Sequence, residues 1–302
     1  MESKGMLIGG IAFVFGSFIL MIAALVYESY KSKQQRELLD TAFSAPRVVP
    51  SQVEQDFSMY KAITGDVGRP MVQIPEGPFT MGSHEGDRDE APEHQVYLQS
   101  FYIDLREVTQ QEYDRYVKMT KREQPLVTVF EDDISKIQGP DLPAVGVSWS
   151  DALGYCRWAG KRLPTEAEWE KAVRGEGRRR YAWGDTFERH RANLDGEEDG
   201  YRYLAPPGSF ESGRSPYGVY DMTGNVAEWV ADTYAEDYYK ETPYRDPPGP
   251  DDGEHKVIRG GSWRESPMGA RVAKRFQAKM WRTESTIGIR CAKDVEDEGR
   301  RS

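Results

Sequence analysis

The chain has 302 residues, enough for one large domain or two small ones, and 40 Lys and Arg against 50 Asp and Glu give a formal charge of −10. That balance excludes a general nucleic-acid binder, which needs clustered positive charge to displace counterions, and 12% aromatic residues exclude global disorder. Two cysteines cannot build a multi-bridge scaffold or a four-cysteine zinc site, and the four histidines (His84, His94, His190, His255) lack H-x3-H or H-E-x2-H spacing.

After a flank at residues 1–5, the first element is an uncharged run over residues 6–27, MLIGGIAFVFGSFILMIAALVY. At 1.5 Å per helical residue it reaches across a hydrocarbon core of ~30 Å, which predicts a transmembrane helix. A cleaved signal peptide is the alternative reading. Its apolar stretch would be shorter, ~7–15 residues, and would end in a small-x-small site, whereas this run ends in Leu-Val-Tyr-Glu. Gly9, Gly16 and Ala23 share one face, as close helix packing in lipid requires. Lys4 precedes the span and Lys31, Lys33 and Arg36 follow it, so a Lys/Arg count puts the C-terminal part in the cytoplasm.

Residues 28–69 read as a stalk that begins charged and helical and loosens at SAPRVVPSQ, where prolines disfavour a helix. Residues 70–294 form one globular unit without an internal repeat, and 295–302 (VEDEGRRS) a solvated tail. Within the unit, 95–104 alternates well enough for one strand. Val108–Val117 has helical spacing, with Thr109 as cap and Glu112 three residues on. A second helix starts at Ser148 and ends at Gly160; a third starts at Thr165, behind Pro164. About half of the unit remains rich in Gly, Pro and aromatics. The fold class is therefore α+β with much irregular backbone, of the kind that bound ions often hold together.

Seven segments, in order, carry a family resemblance: MVQIPEGPFTMGS (71–83), FYIDLREVTQQEY (101–113), VGVSWSDALGYCRWAGKRLPTEAEWEKAVRG (145–175), YAWGD (181–185), YGVYDMTGNVAEWV (217–230), RGGSW (259–263) and GIRCA (288–292). The chain resembles the formylglycine-generating enzyme, or sulfatase-modifying factor, family. The resemblance implies an irregular, loop-rich α+β fold related to C-type lectin-like domains.

Function is a separate matter, because a fold can outlive its site. In the oxidising members, two cysteines three and eight residues after the serine of RGGS bind copper and attack the substrate cysteine. Counted from Ser262, those positions hold Glu265 and Ala270. Neither is a soft ligand for Cu(I), so no copper is expected and no catalytic residue is assigned. Ser262 has no identifiable base to make it a nucleophile.

Cys156 and Cys291 match a pair that is disulfide-bonded in secreted members; a reduced, buried contact is the alternative. A bridge suits an oxidising compartment and puts the domain outside the cytoplasm, periplasmic or extracytoplasmic, against the Lys/Arg count.

The resemblance also implies two structural calcium sites. One uses the side chains of Asp221 and Glu228 with the carbonyls of Gly224 and Val226. The other uses the side chains of Asn193 and Asp199 with the carbonyls of Leu194 and Tyr201. Hard cations favour such mixtures of carboxylates and carbonyls, although acids in these loops also cap turns and face water.

Residues 256–290 hold nine Lys and Arg against two acids. In the family this stretch lines the substrate groove. With Trp263, Arg264, Arg271, Arg275 and Trp281 it is expected either to receive an anionic or peptide ligand or to pair with the acidic remainder of the domain. Three functions follow: a membrane-anchored, catalytically degenerate binding or accessory subunit of a membrane protein complex; an oxidoreductase or protein-modifying enzyme with a non-cysteine site; and a carbohydrate- or peptide-binding module.

Overall fold

The computed structural model describes residues 62–64, 68–125, 127, 130 and 132–295. All fall in the second of two compact units, Met1–Gln55 and Asp56–Ser302. No described helix is long and apolar enough to cross a membrane. The apolar run at 6–27, most of the stalk and nearly all of the tail lie outside the described residues.

The three expected helices form where local chemistry starts them. Helix α1 (Gln110–Thr120) is capped by Thr109 with Glu112, α2 (Trp149–Trp158) by Ser148 with Asp151, and α3 (Glu166–Arg174) by Thr165 with Glu168. Each pair is a reciprocal capping box, satisfying two backbone donors that the first helical turn leaves unpaired. Helix α3 stops at Gly175, whose positive φ of 72° suits glycine.

The strands form three sheets. β1 (Ala62–Thr64), β2 (Pro70–Ile74), β5 (Phe101–Asp104) and β10 (Ala292–Asp294) make an antiparallel sheet in the order β1-β2-β5-β10. β3 (Gly77–Met81) and β4 (His94–Leu98) form a hairpin-like pair. The third sheet has the order β8-β7-β6-β9, from β6 (Ala227–Thr233), β7 (His255–Arg259), β8 (Phe276–Lys279) and β9 (Ile287–Gly288). Its β6–β9 pair is parallel.

Two expectations change. The single strand at 95–104 is two strands in different sheets, because the main-chain N–H of Gln99 donates to Asp246 and breaks the run between them. All four residues of β5 are buried, so no alternation is left there to read. The first sheet also reaches back into the stretch assigned to the stalk, since β1 pairs with β2.

Trp169 sits in one buried cluster with Ile74, Phe79, Leu98 and Val230. Trp229 sits in a second with Val108, Tyr116, Tyr155 and both cysteines. Cys156 in α2 and Cys291, just before β10, form the expected disulfide. Between α3 and β6, the described residues contain only short 3-10 turns. That irregular stretch carries most of the candidate site.

The disulfide closes a loop of 135 residues inside a fully buried cluster. Replacing both cysteines, Cys156→Ala with Cys291→Ala, is expected to cost about 2–5 kcal/mol, chiefly through a freer unfolded chain. Urea unfolding of the parent with and without reductant, beside the double variant, measures it. Coincident midpoints for all three would sink the expectation.

Candidate functional site

Three turns meet at the irregular stretch. The 222–226 turn is clamped on both sides: Gly224 N–H donates to the Gly260 carbonyl at 2.9 Å, and Asn225 N–H to the Asn193 carbonyl at 2.8 Å. Trp263 N–H in turn donates to the Asn225 carbonyl at 2.9 Å, and Asp195 N–H to the Glu265 carbonyl at 3.0 Å. Asp221, Gly224 and Asn225 all have positive φ, and a Cβ at Gly224 would collide with the Asn193 carbonyl. The sequence TGN thus lets three chain segments approach within hydrogen-bonding distance. The structure brings together the two expected calcium segments and the turn holding Ser262, Glu265 and Ala270.

Asn225 ties the junction from inside. Its Nδ2 donates to Glu107 at 2.9 Å and to the Ala205 carbonyl at 3.1 Å, while its Oδ1 accepts from Ala205 N–H at 2.9 Å and from Asn193 Nδ2 at 3.0 Å. Burial, with Asp221 nearby, holds the Glu107 carboxyl well above the usual range. Glu107 and Asn225 were not singled out from the sequence. A positive-φ Asn inside TGN was the available signal for one; nothing local marks the other.

The first oxygen set fits a hard cation. Asn193 is buried, and its Oδ1 has no hydrogen-bond partner although its Nδ2 has two. An orphaned buried acceptor of this kind is costly unless something fills it. Asp199 lies on the same loop, accepting the N–H groups of Leu194 at 3.0 Å and Tyr201 at 2.9 Å. Among the described residues, the carbonyls of Leu194 and Tyr201 accept no hydrogen bond. Four oxygens with spare lone pairs on one short loop match what calcium takes.

The second set fits less well. Asp221 accepts the Gly208 N–H at 2.6 Å and is pushed up to about 6 by burial. Glu228 has both oxygens engaged: Arg290 Nε donates to each at 2.9 Å, and Trp169 Nε1 donates to Oε2 at 2.7 Å. Its charge is already balanced inside the protein, so with Gly224 and Val226 it does not present a free carboxylate to a cation.

Ser262 is buried, and its Oγ accepts the Arg264 N–H at 3.3 Å. Ala270 is 1% exposed and packs with Ala192 and Leu194. Glu265 is half-buried, and burial raises its carboxyl above the ordinary value.

The expected groove needs correction. Arg271 forms a buried two-pronged pair with Glu90 at 2.6 and 2.7 Å, and Arg275 one with Glu166 at 2.8 and 3.0 Å. Trp263 is buried, its Nε1 donating to the Ser285 carbonyl at 3.2 Å. Only Arg264 and Trp281 (62% exposed) reach solvent. The physical reason is desolvation: guanidiniums drawn into the core must take carboxylates with them. Arg271 and Arg275 follow the second of the two outcomes expected for the stretch, internal pairing, while Arg264, Lys279 and Arg282 remain exposed.

A loop-rich α+β domain with a capped α3, the RGGSW turn and the Asn193 and Asp221 loops meeting on one side defines a family. The model of the sulfatase-modifying factor enzyme 1-like domain matches residues 60–295, and the chain belongs to that family. It is 39% identical to "Serine/threonine-protein kinase pkn1" of Chlamydia pneumoniae over 241 residues, which are 74% of this chain but only 38% of that protein. It is 35% identical to the formylglycine-generating enzyme of Streptomyces coelicolor, covering 76% of this chain and 90% of the other. It is 34% identical to "Inactive C-alpha-formylglycine-generating enzyme 2" of Mus musculus, covering 74% and 85%. The solved structure of PvdO from Pseudomonas aeruginosa superposes with a TM-score of 0.68 at 31% identity, covering 78% of this chain and 98% of that one.

Glu265 gives a pH-dependent signature. Because its folded-state value is raised, the folded chain keeps this proton to higher pH than the unfolded chain. The associated stability is present in full below the unfolded value and is lost as pH rises through the folded one. Glu265→Gln is therefore expected to unfold at higher urea than the parent at about pH 7, with the two converging at about pH 4. A variant less stable than the parent at neutral pH would contradict it.

Proposed function

We propose that this chain is a non-oxidising member of its family, a calcium-stabilised domain that binds a partner rather than converts a substrate. It serves as an accessory subunit of a membrane protein complex, tethered by residues 6–27, with the domain on the oxidising side. The observation that carries the reading is the state of the thiols. Both cysteines of the chain form one buried disulfide, which leaves no thiol for copper or for attack on a substrate cysteine. The likeness to a relative named inactive supports it. So does the polar, half-buried Glu265 where the resemblance places a copper-binding thiol.

Calcium at the Asn193 loop would have a structural role, occupying the orphaned Oδ1 together with Asp199 and the carbonyls of Leu194 and Tyr201. The main-chain carbonyl and Nδ2 of the same Asn193 bond Asn225, so an ion there would brace the loop against the 222–226 turn.

Three measurements test the proposal. Incubating the full chain with copper and a cysteine-containing sulfatase-type peptide is expected to leave the cysteine unchanged by mass spectrometry; an aldehyde product would overturn the non-oxidising reading. Chelation with EGTA is expected to lower the thermal midpoint of the parent by several degrees, a shift absent in Asn193→Ala. Equal midpoints with and without chelator in the parent would remove calcium. Purification in detergent, without cross-linking, is expected to retain a stoichiometric partner, and a lone monomer would count against the accessory role.

A further inference from the structure

A cavity of about 450 Å³ opens beyond the end of α3, away from the junction described above. Its volume is in the range of small-ligand sites. Buried Arg174, Arg271 and Ala273 form its floor. Consecutive Arg178, Arg179 and Arg180 line its side, followed by Asp185. Glu85 and Glu93 complete the rim. None of the three consecutive arginines belongs to the site residues expected from the sequence.

Charge accounting separates these groups. Arg271 is neutralised by Glu90. Arg178 reaches Glu93 at 3.1 Å and Arg180 reaches Glu85 at 2.9 Å; the second pair is exposed on both sides and contributes little, while in the first the arginine is exposed and Glu93 is largely buried. Arg179 makes no ion pair with any described residue. Arg174, only 3% exposed, shares Glu170 with Arg259, and Arg259 shares Glu166 with Arg275. Three buried guanidiniums therefore divide two carboxylates. The next acid, Asp232, accepts only the Glu166 N–H at 2.7 Å and forms no ion pair with a described residue. Arg174 Nε is left buried with no acceptor. A buried charged donor in that state costs free energy that an oxyanion would recover.

The geometry points to an oxyanion site in this cavity, in which Arg174 at the floor and Arg179 at the side hold the phosphoryl or carboxylate end of a small molecule. Arg178 and Arg180 can turn toward the same anion by releasing Glu93 and Glu85. The backbone that presents them is fixed: Arg180 N–H donates to Asp185 at 3.1 Å, and its carbonyl accepts Val272 N–H at 2.8 Å. Such a preset backbone lowers the ordering cost of binding.

Calorimetric titration of the full chain with inorganic phosphate, and separately with acetate, at ionic strength balanced by chloride, tests the site. Saturable binding of either is expected, weakened about tenfold in Arg179→Gln, as loss of one charge-assisted contact implies. Arg174→Lys keeps the charge but loses the fork and is expected to weaken binding too. If that buried variant does not fold, the half-buried Arg179 alone decides. Arg282→Gln, which removes an exposed arginine outside the cavity, is expected to bind as the parent does. The probe that binds tells phosphoryl from carboxylate. No saturable binding of either, or equal weakening in Arg282→Gln and Arg179→Gln, would overturn the assignment.

Discussion

One guanidinium organises this domain. Arg290 is fully buried between β9 and β10, donating to Glu228 in β6, to the carbonyl of Asp104 at the end of β5 and to that of Tyr220 in the irregular stretch. It thereby joins two sheets and the loop region at one point. Trp169 of α3 reaches the same Glu228, so the helix is registered against the junction as well. Removing one partner of such a pair leaves an unbalanced buried charge, at a cost of about 3–5 kcal/mol, which makes the interaction a constraint on position more than a source of net stability. The residue next to Arg290 is Cys291, whose disulfide fixes the same segment to α2.

That arrangement explains how a long stretch of the domain can do without ladders. The loops between α3 and β6 find their partners in fixed side chains: Asn225, Asn193, Glu107 and Asp221 supply the donors and acceptors that strands would otherwise provide. Such a network is satisfied nearly everywhere, and the exception, Asn193 Oδ1, stands out because its neighbours are paired. An acceptor left over in a busy polar cluster differs from a group of acids that each already have a partner. The contrast lies in the same molecule. Asp87, Asp89 and Glu90 cluster closely enough for a cation, yet Lys274, Tyr234 and Arg271 respectively occupy them.

What could be read from the sequence follows how far apart the deciding residues are. All three helices were legible, because a capping box needs only residues three apart. The disulfide and the meeting loops were reachable only through family resemblance, since nothing local sets a contact across 135 residues. The break in 95–104 was hidden because Asp246, which causes it, lies 147 residues on. The basic stretch misled for the same reason. Its charges are local facts, but Arg271 takes Glu90 and Arg275 takes Glu166 from 181 and 109 residues away.

The separation of scaffold from chemistry has a structural basis in the RGGSW turn. That turn is held by main-chain bonds from Trp263 to Asn225 and from Glu265 to Ser262, and by the close packing of Gly261 on residues 269 and 270. The main-chain bonds use neither side chain, while the Ala270 methyl is part of the packing against Gly261. Ala270 is buried in a cluster with Ala192 and Leu194, against which Trp183 and Phe187 pack. Glu265 stays half in solvent, where a carboxylate is tolerated at the cost of a raised protonation range. Scaffold and site are thus set by different residues: Arg290, Glu228 and Asn225 each tie distant segments together by hydrogen bonds, whereas Glu265 and Ala270 pack only locally, so the frame and the chemistry it carries are separable properties of the chain.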